Sequence, residues 1–152
     1  MEFDAEILAA ARRLVGMSGP PVTQIIEYGA ILRFVEAIGD EHPLYRDPEY
    51  ARRTRWGGII APPTFLCTIR TESPQLQDVG VTFGTVNLNG GNTYEAYEPV
   101  RPGDVICAQT RVADVRGVVG RSGPMLIIER ETRYTNQYNR LVAVGRSTSI
   151  RR

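Results

Sequence analysis

The stretch "IGDEHPLYRDPEYA", residues 38–51, holds the groups best suited to proton transfer in this 152-residue chain. The only histidine, His42, stands two residues after Asp40, and Pro43 and Tyr45 follow at once. A carboxylate beside an imidazole is the common general acid/base pair, because an imidazole with an ordinary pKa of about 6.5 exchanges protons readily near neutrality. Residues i and i+2 of an extended loop point the same way, so Asp40 and His42 can meet there, whereas in a helical turn they cannot. The competing reading makes Asp40 a turn acid that bonds backbone amides and His42 an exposed loop residue. Tyr45 either donates its hydroxyl to a substrate carbonyl or a water, or fills volume.

The rest of the chain narrows the chemistry by what it lacks. All 18 basic residues are Arg, which removes Schiff-base chemistry and the phosphate-binding lysine of P-loops. Cys67 and Cys107 lie far apart with no CxxC, so neither a disulfide framework nor a zinc site is indicated, and no metal ligand set is expected. A formal net charge of +1 gives no field that would draw nucleic acid or an acidic membrane surface. "ARRTRW" offers Arg52, Arg53 and Arg55 either as a clamp for phosphates or an acidic carrier protein, or as a solvated helix face. The first residues carry acids and arginines within their apolar pattern and no run approaches bilayer length; a cytoplasmic protein is the expectation.

Several elements must position the loop. Phe3 to Val15 has helical spacing and is closed by Gly16 and "SGPP". "VTQIIEY" reads as a short strand or an extended segment. Ile31, Phe34, Val35 and Ile38 then mark an amphipathic helix that Gly39 should stop, which puts Asp40 just past a helix C-terminus. Asp47–Pro48 should cap and open another short helix. In "IIAPPTFLCTIR" the two prolines can only begin a helix, so its body is expected over Thr64 to Arg70, apolar on nearly every side and buried all round, with Cys67 a core residue. After Gly84 come four strand-like runs parted by "RPGD", "GRSG" and "QYNR", and these predict an antiparallel meander. Gly90-Gly91 predicts a bulge, a bend or a close approach. Helices first and a curling sheet after them give an α+β class, with the sheet wrapped around the apolar helix in the hot-dog arrangement and its edges free to pair into a dimer.

"AIGDEHPLYRDPEYA", "GGIIAPPTF" and "YEPVRPGDVI", in this order, resemble the MaoC-like hydratase/dehydratase superfamily, most nearly its fatty-acid-synthase-type N-terminal dehydratase domain. The likeness runs from about Val22 to the C-terminus, so residues 1–21 read as a helical extension and residues 22–152 as the hot-dog domain. The resemblance implies reversible hydration of a trans-2-enoyl thioester carried on CoA or acyl carrier protein, with no cofactor. It implies a carboxylate and an imidazole that handle water and proton, and a backbone N–H at the central helix N-terminus that stabilises the enolate. It lends Asp40 and His42 as the catalytic candidates and Tyr45, Gly58, Pro63 and Thr64 as the substrate-binding ones.

The motifs also depart from that family. Its loop reads Gly-Asp-x-Asn-Pro-(Ile/Leu)-His, and here His42 stands at the Asn position and Tyr45 at the His position. A phenol, with an ordinary pKa of about 10, is a poor base near neutrality. The family's helix opens Ala-His-Gly; Pro63 occupies the Gly position and has no N–H to give, which leaves Thr64 or a neighbour as the substitute donor. Tyr at the His position is the mark of the non-catalytic halves of this family. The expectation is therefore a subunit of an (R)-specific enoyl-thioester hydratase or 3-hydroxyacyl dehydratase, as a homodimer or paired with an active MaoC-type chain. The alternative is an acyl-CoA thioesterase or acyl-thioester-binding protein on the same fold.

Overall fold

A computed structural model describes residues 2–152. Five strands, β1 (Val22–Ile25), β2 (Asn87–Ala96), β3 (Val105–Gly120), β4 (Gly123–Thr135) and β5 (Leu141–Arg151), form one antiparallel sheet in the order β1-β3-β4-β5-β2. β3, β4 and β5 are the meander the turns predicted. Asp104 N–H closes the Pro102–Gly103 turn onto the Arg101 carbonyl, and Asn139 takes the left-handed position at φ 58°. β2 departs from it: rather than pairing with β3, it pairs along its length with β5 at the far edge, so the connection from β2 to β3 is a crossover. Local turn signals cannot reveal such a crossover, because it is fixed by pairings distant in sequence. The Gly90 bulge is present, with the register of β2 against β5 shifting between Asn89 and Gly91.

The helices follow local chemistry. Asp4 caps α1 (Ala5–Ala11) by accepting the Glu6 and Ile7 N–H groups, and a single 3-10 turn carries the chain on to Leu14. α2 (Tyr28–Ile38) stops at Gly39, which takes the left-handed conformation at φ 69°. α3 (Pro48–Arg52) opens on Pro48 after its Asp47 cap.

The central segment differs from its expectation. In place of a helix through Arg70 there is a six-residue 3-10 helix, Pro63–Thr68, and the chain is already extended at Ile69. Two prolines remove amide donors at its start, and β-branched Thr64 and Thr68 favour helix poorly, so a longer α-helix gains little here. Nor is it buried all round: Phe65, Leu66 and Ile69 face the core, while Pro63, Thr64, Cys67 and Thr68 are exposed. Cys67 is thus an exposed thiol rather than a core residue, and Cys107 is half-buried.

One face of the sheet is concave and carries two apolar clusters. Ile106, Ala108, Tyr134, Val142 and Ala143 pack against α2 and the central turn, where Phe65 meets Phe34 edge to face at 5.5 Å. Toward the other end, Val112, Val115, Leu126 and Ile128 receive Ala11, Leu14 and Leu76. The first residues, read from sequence as an extension, thus pack on the sheet. The opposite face carries exposed ion pairs such as Arg146–Glu95 at 3.0 Å, which contribute little to stability. The architecture is the α+β hot-dog fold, with an abbreviated helix inside the curl.

Candidate functional site

Helix α2 ends where the sequence places its stop, and the loop that follows carries the candidate acid. Asp40 does not bond the imidazole of His42: its Oδ1 accepts the backbone N–H of His42 at 2.9 Å. The imidazole is engaged separately, with Nδ1 accepting the Leu44 N–H at 3.1 Å and capping the short turn Pro43–Tyr45. An Nδ1 in this role carries no proton. The residues share one loop, but each serves its own backbone, and no Asp–imidazole hydrogen bond forms. Asp40 is partly buried and His42 is exposed.

Tyr45 is half-buried between the α2 cluster and a smaller cluster of Leu44, Ala51, Ile59 and Ile60, with its ring 5.8 Å from that of His42. Burial first, and the negative charge of Asp40 second, hold its phenol above the ordinary 10.0, so it remains a proton donor. Gly58 is partly exposed, and nothing but the Arg101 guanidinium approaches the site of a Cβ there, at 3.8 Å. Arg53 pairs with Glu49 at 3.2 Å with both groups exposed, and Arg55 lies over the Trp56 ring at 4.4 Å. Both arginines lie just past the end of α3, and each has a local partner.

Pro63 and Thr64 open the central turn. The first turn bond runs from Phe65 N–H to the Pro62 carbonyl at 2.9 Å, with no side-chain cap. Pro63 borders an apolar hollow of about 150 Å³ with Trp56, Leu66, Tyr97, Pro99 and Val142. Asp40, His42 and Tyr45 do not line it. Two turns of 3-10 helix align few peptide dipoles, so this end offers far less oxyanion stabilisation than a long α-helix.

A second region went unnoticed in the sequence. Between the two apolar clusters the concave face turns polar. The inward side chains of neighbouring strands are Thr110, then Arg130 and Thr132, then Ser147 and Ser149, and they border a hollow of about 300 Å³ together with Thr71, Ser73 and Asn87. Thr110, only 4% exposed, shares hydrogen bonds with Thr71 at 2.7 Å and with Thr132 at 2.5 Å. Arg130 donates from Nε to Ser73 Oγ at 2.8 Å and from Nη1 to Ser149 Oγ. Among the described residues it joins no ion pair. Burial lowers its pKa, as expected for a cation withdrawn from water without a counter-charge. The missed signal is the run "ERETRYT", in which both alternating faces are polar, so neither reads as core.

Next to this hollow lies one of about 190 Å³ with Tyr94, Tyr134 and Cys67 on its walls. Gly145 keeps it open, since a Cβ there would stand 3.1 Å from the Tyr94 ring. Among the described residues no cluster of His, Cys, Asp and Glu could hold a metal ion, and no helix is long and apolar enough to cross a membrane.

The sequence model of the "FAS1-like, dehydratase domain region" matches residues 13–144. A UPF0336 protein of Streptomyces avermitilis is 33% identical over 119 residues, covering 74% of this chain and 78% of its own length. The 3-oxo-4,17-pregnadiene-20-carboxyl-CoA hydratase alpha subunit of Mycobacterium tuberculosis is 30% identical over 130 residues, which is 76% of this chain and 40% of that longer one. Among solved structures, a chain of the ChsH1–ChsH2 complex of M. tuberculosis superposes with a TM-score of 0.74 at 21% identity, over 97% of this chain and 87% of the other. The (R)-hydratase of A. caviae superposes with a TM-score of 0.66 at 21% identity, over 89% and 94%. At such identities the superpositions speak for the fold.

Proposed function

Because this chain belongs to the MaoC-like hydratase/dehydratase superfamily, within its FAS1-like dehydratase region, we propose that it is the non-catalytic half of an (R)-specific enoyl-thioester hydratase or 3-hydroxyacyl-thioester dehydratase. It shapes the acyl site and pairs with an active MaoC-type chain. The observation that carries this reading is the state of the loop. The Asp40 carboxylate and the His42 Nδ1 are each held by a backbone N–H of the loop itself, and the residue at the family's imidazole position is a phenol that keeps its proton.

Hydration of an enoyl thioester needs a base to take a proton from water at the β-carbon, an acid to deliver one to the α-carbon, and donors for the developing enolate. In this chain the carboxylate supports a turn, the phenol can give a proton but not take one, and Pro63 has no amide to offer. An active partner supplies the missing base and donor, and this chain contributes walls for the acyl group. The relative from M. tuberculosis is itself named as one subunit of a hydratase, and the ChsH1–ChsH2 and HadBC structures are complexes of differently named chains. The substrate is an acyl thioester on CoA or carrier protein, and the reaction needs no further cofactor.

The test is a hydration assay on crotonyl-CoA, followed by loss of the enoyl-thioester absorbance. It compares the isolated chain with the chain co-expressed beside a MaoC-type partner whose loop reads Gly-Asp-x-Asn-Pro-(Ile/Leu)-His. Turnover by the pair and none by the isolated chain supports the reading. Robust turnover by the isolated chain overturns it, and release of free CoA without hydration points to a thioesterase.

A further inference from the structure

We infer that the concave face of the sheet binds a long apolar chain ending in a carboxylate, with Arg130 as the carboxylate's partner. The inference rests on reading the chain as an acyl-binding subunit and names the chemistry of what it holds.

Strand β5 passes three hollows in turn. Val142 borders the apolar hollow, Gly145 the hollow walled by Tyr94 and Tyr134, and Ser147 and Ser149 the polar one around Arg130. From Val142 to Ser149 the strand spans roughly 23 Å at about 3.3 Å per residue. From the first hollow to the last the lining changes from carbon to phenol to hydroxyl and guanidinium, and the second and third adjoin through Thr71, Thr132 and Ser147. A simple fatty acyl chain would leave the polar end desolvated and unmatched. A ligand with an apolar body and an acidic end matches both.

Arg130 is the sharper half of the match. Its fork has five N–H donors, of which the Ser73 and Ser149 hydroxyls take two, and among the described residues no carboxylate pairs with it. Those hydroxyls hold the guanidinium plane, and a planar fork pairs with a carboxylate through two parallel hydrogen bonds. The Thr71–Thr110–Thr132 hydroxyls are already bonded to one another, so they form the wall beside the charge. The carboxylate can come from a free fatty acid or from the far end of a dicarboxylic acyl thioester, and both present the same group.

The experiment is calorimetric titration of the purified chain with hexadecanoate, its methyl ester, hexadecanedioyl-CoA and hexadecanoyl-CoA. The expected result is that the acid binds about tenfold or more tightly than its neutral ester, or the diacid thioester than the monoacid one. Arg130→Met abolishes that preference, while Arg133→Met, on the opposite face, keeps it. Arg130→Lys, which retains the charge but not the fork, restores only part of it, and thermal unfolding confirms that each variant is folded. A preference seen only with the free acid assigns the site to fatty acids; one seen only with the diacid thioester assigns it to the distal carboxylate of the substrate. Equal affinity for charged and neutral ligands, a preference that survives Arg130→Met, or no binding at all overturns the inference. The titration uses the isolated chain and the hydration assay the assembled pair, so either result can fail without the other.

Discussion

The loop at Asp40–Tyr45 and the polar band around Arg130 use polar side chains in opposite ways. In the loop, carboxylate and imidazole are held by adjacent amides, so they stabilise local backbone and little of their capacity faces outward. In the band, hydroxyls and a guanidinium from four separate segments converge on one hollow, and the guanidinium keeps donors in reserve. The lesson is that residue types mark a family, whereas unmatched hydrogen-bonding capacity marks a place where something binds. The loop carries the family signature and the band carries the capacity.

That contrast can be broken by removing each region's polar groups, since structural groups cost stability when lost and functional ones cost binding. Phe65 sets the upper end of the scale because it lies, 1% exposed, in the core beneath the central turn. Phe65→Ala should destabilise the fold by about 3–5 kcal/mol in urea unfolding, and a loss under about 1 kcal/mol would mean the central turn is not an anchor. Asp40→Ala and His42→Ala should each cost about 0.5–2 kcal/mol, the range for a lost cap, without altering turnover by the assembled pair. Arg130→Met should leave stability unchanged or raise it by about 1 kcal/mol, because it removes a cation with no counter-charge. A large loss would make Arg130 a structural residue and erase the distinction.

The smallest effect is one of pH. Burial first, and then the charges of Tyr94 and Cys67, hold the Tyr134 phenol well above its ordinary 10.0. The unfolded chain releases that proton near its ordinary value while the folded chain retains it. Stability present below about pH 10 should therefore decline as the pH rises beyond it. Tyr134→Phe should flatten the alkaline limb of a plot of melting temperature against pH; an unchanged limb would assign the decline to other groups.

The legible parts of the molecule are the ones decided locally. Gly39 ends α2, Asp47–Pro48 begin α3, Pro102–Gly103 and Asn139 turn the chain, and each was readable because its chemistry acts within a few residues. The crossover of β2 was not, since pairing with β5 joins segments about fifty residues apart, such as Glu95 and Val144. The central helix was overestimated because apolar composition shows a wish for burial and not how many turns can form after two prolines. At the candidate site, the sequence put Asp40, His42 and Tyr45 on one loop, but only the folded structure shows which groups the carboxylate and the imidazole accept from. Arg130 was hidden by its strand, where polar residues occupy both faces and alternation carries no sign.

The central claim is that this chain's loop supports structure while a partner performs the chemistry. The most direct measurement is the hydration rate of the assembled pair with Asp40→Asn in this chain, beside the same substitution at the aspartate of the partner's loop. The expected result is a rate within about twofold of the unaltered pair for the first and a loss of about a hundredfold or more for the second. The reverse pattern, with Asp40→Asn abolishing turnover, would contradict it and place the general base in this chain.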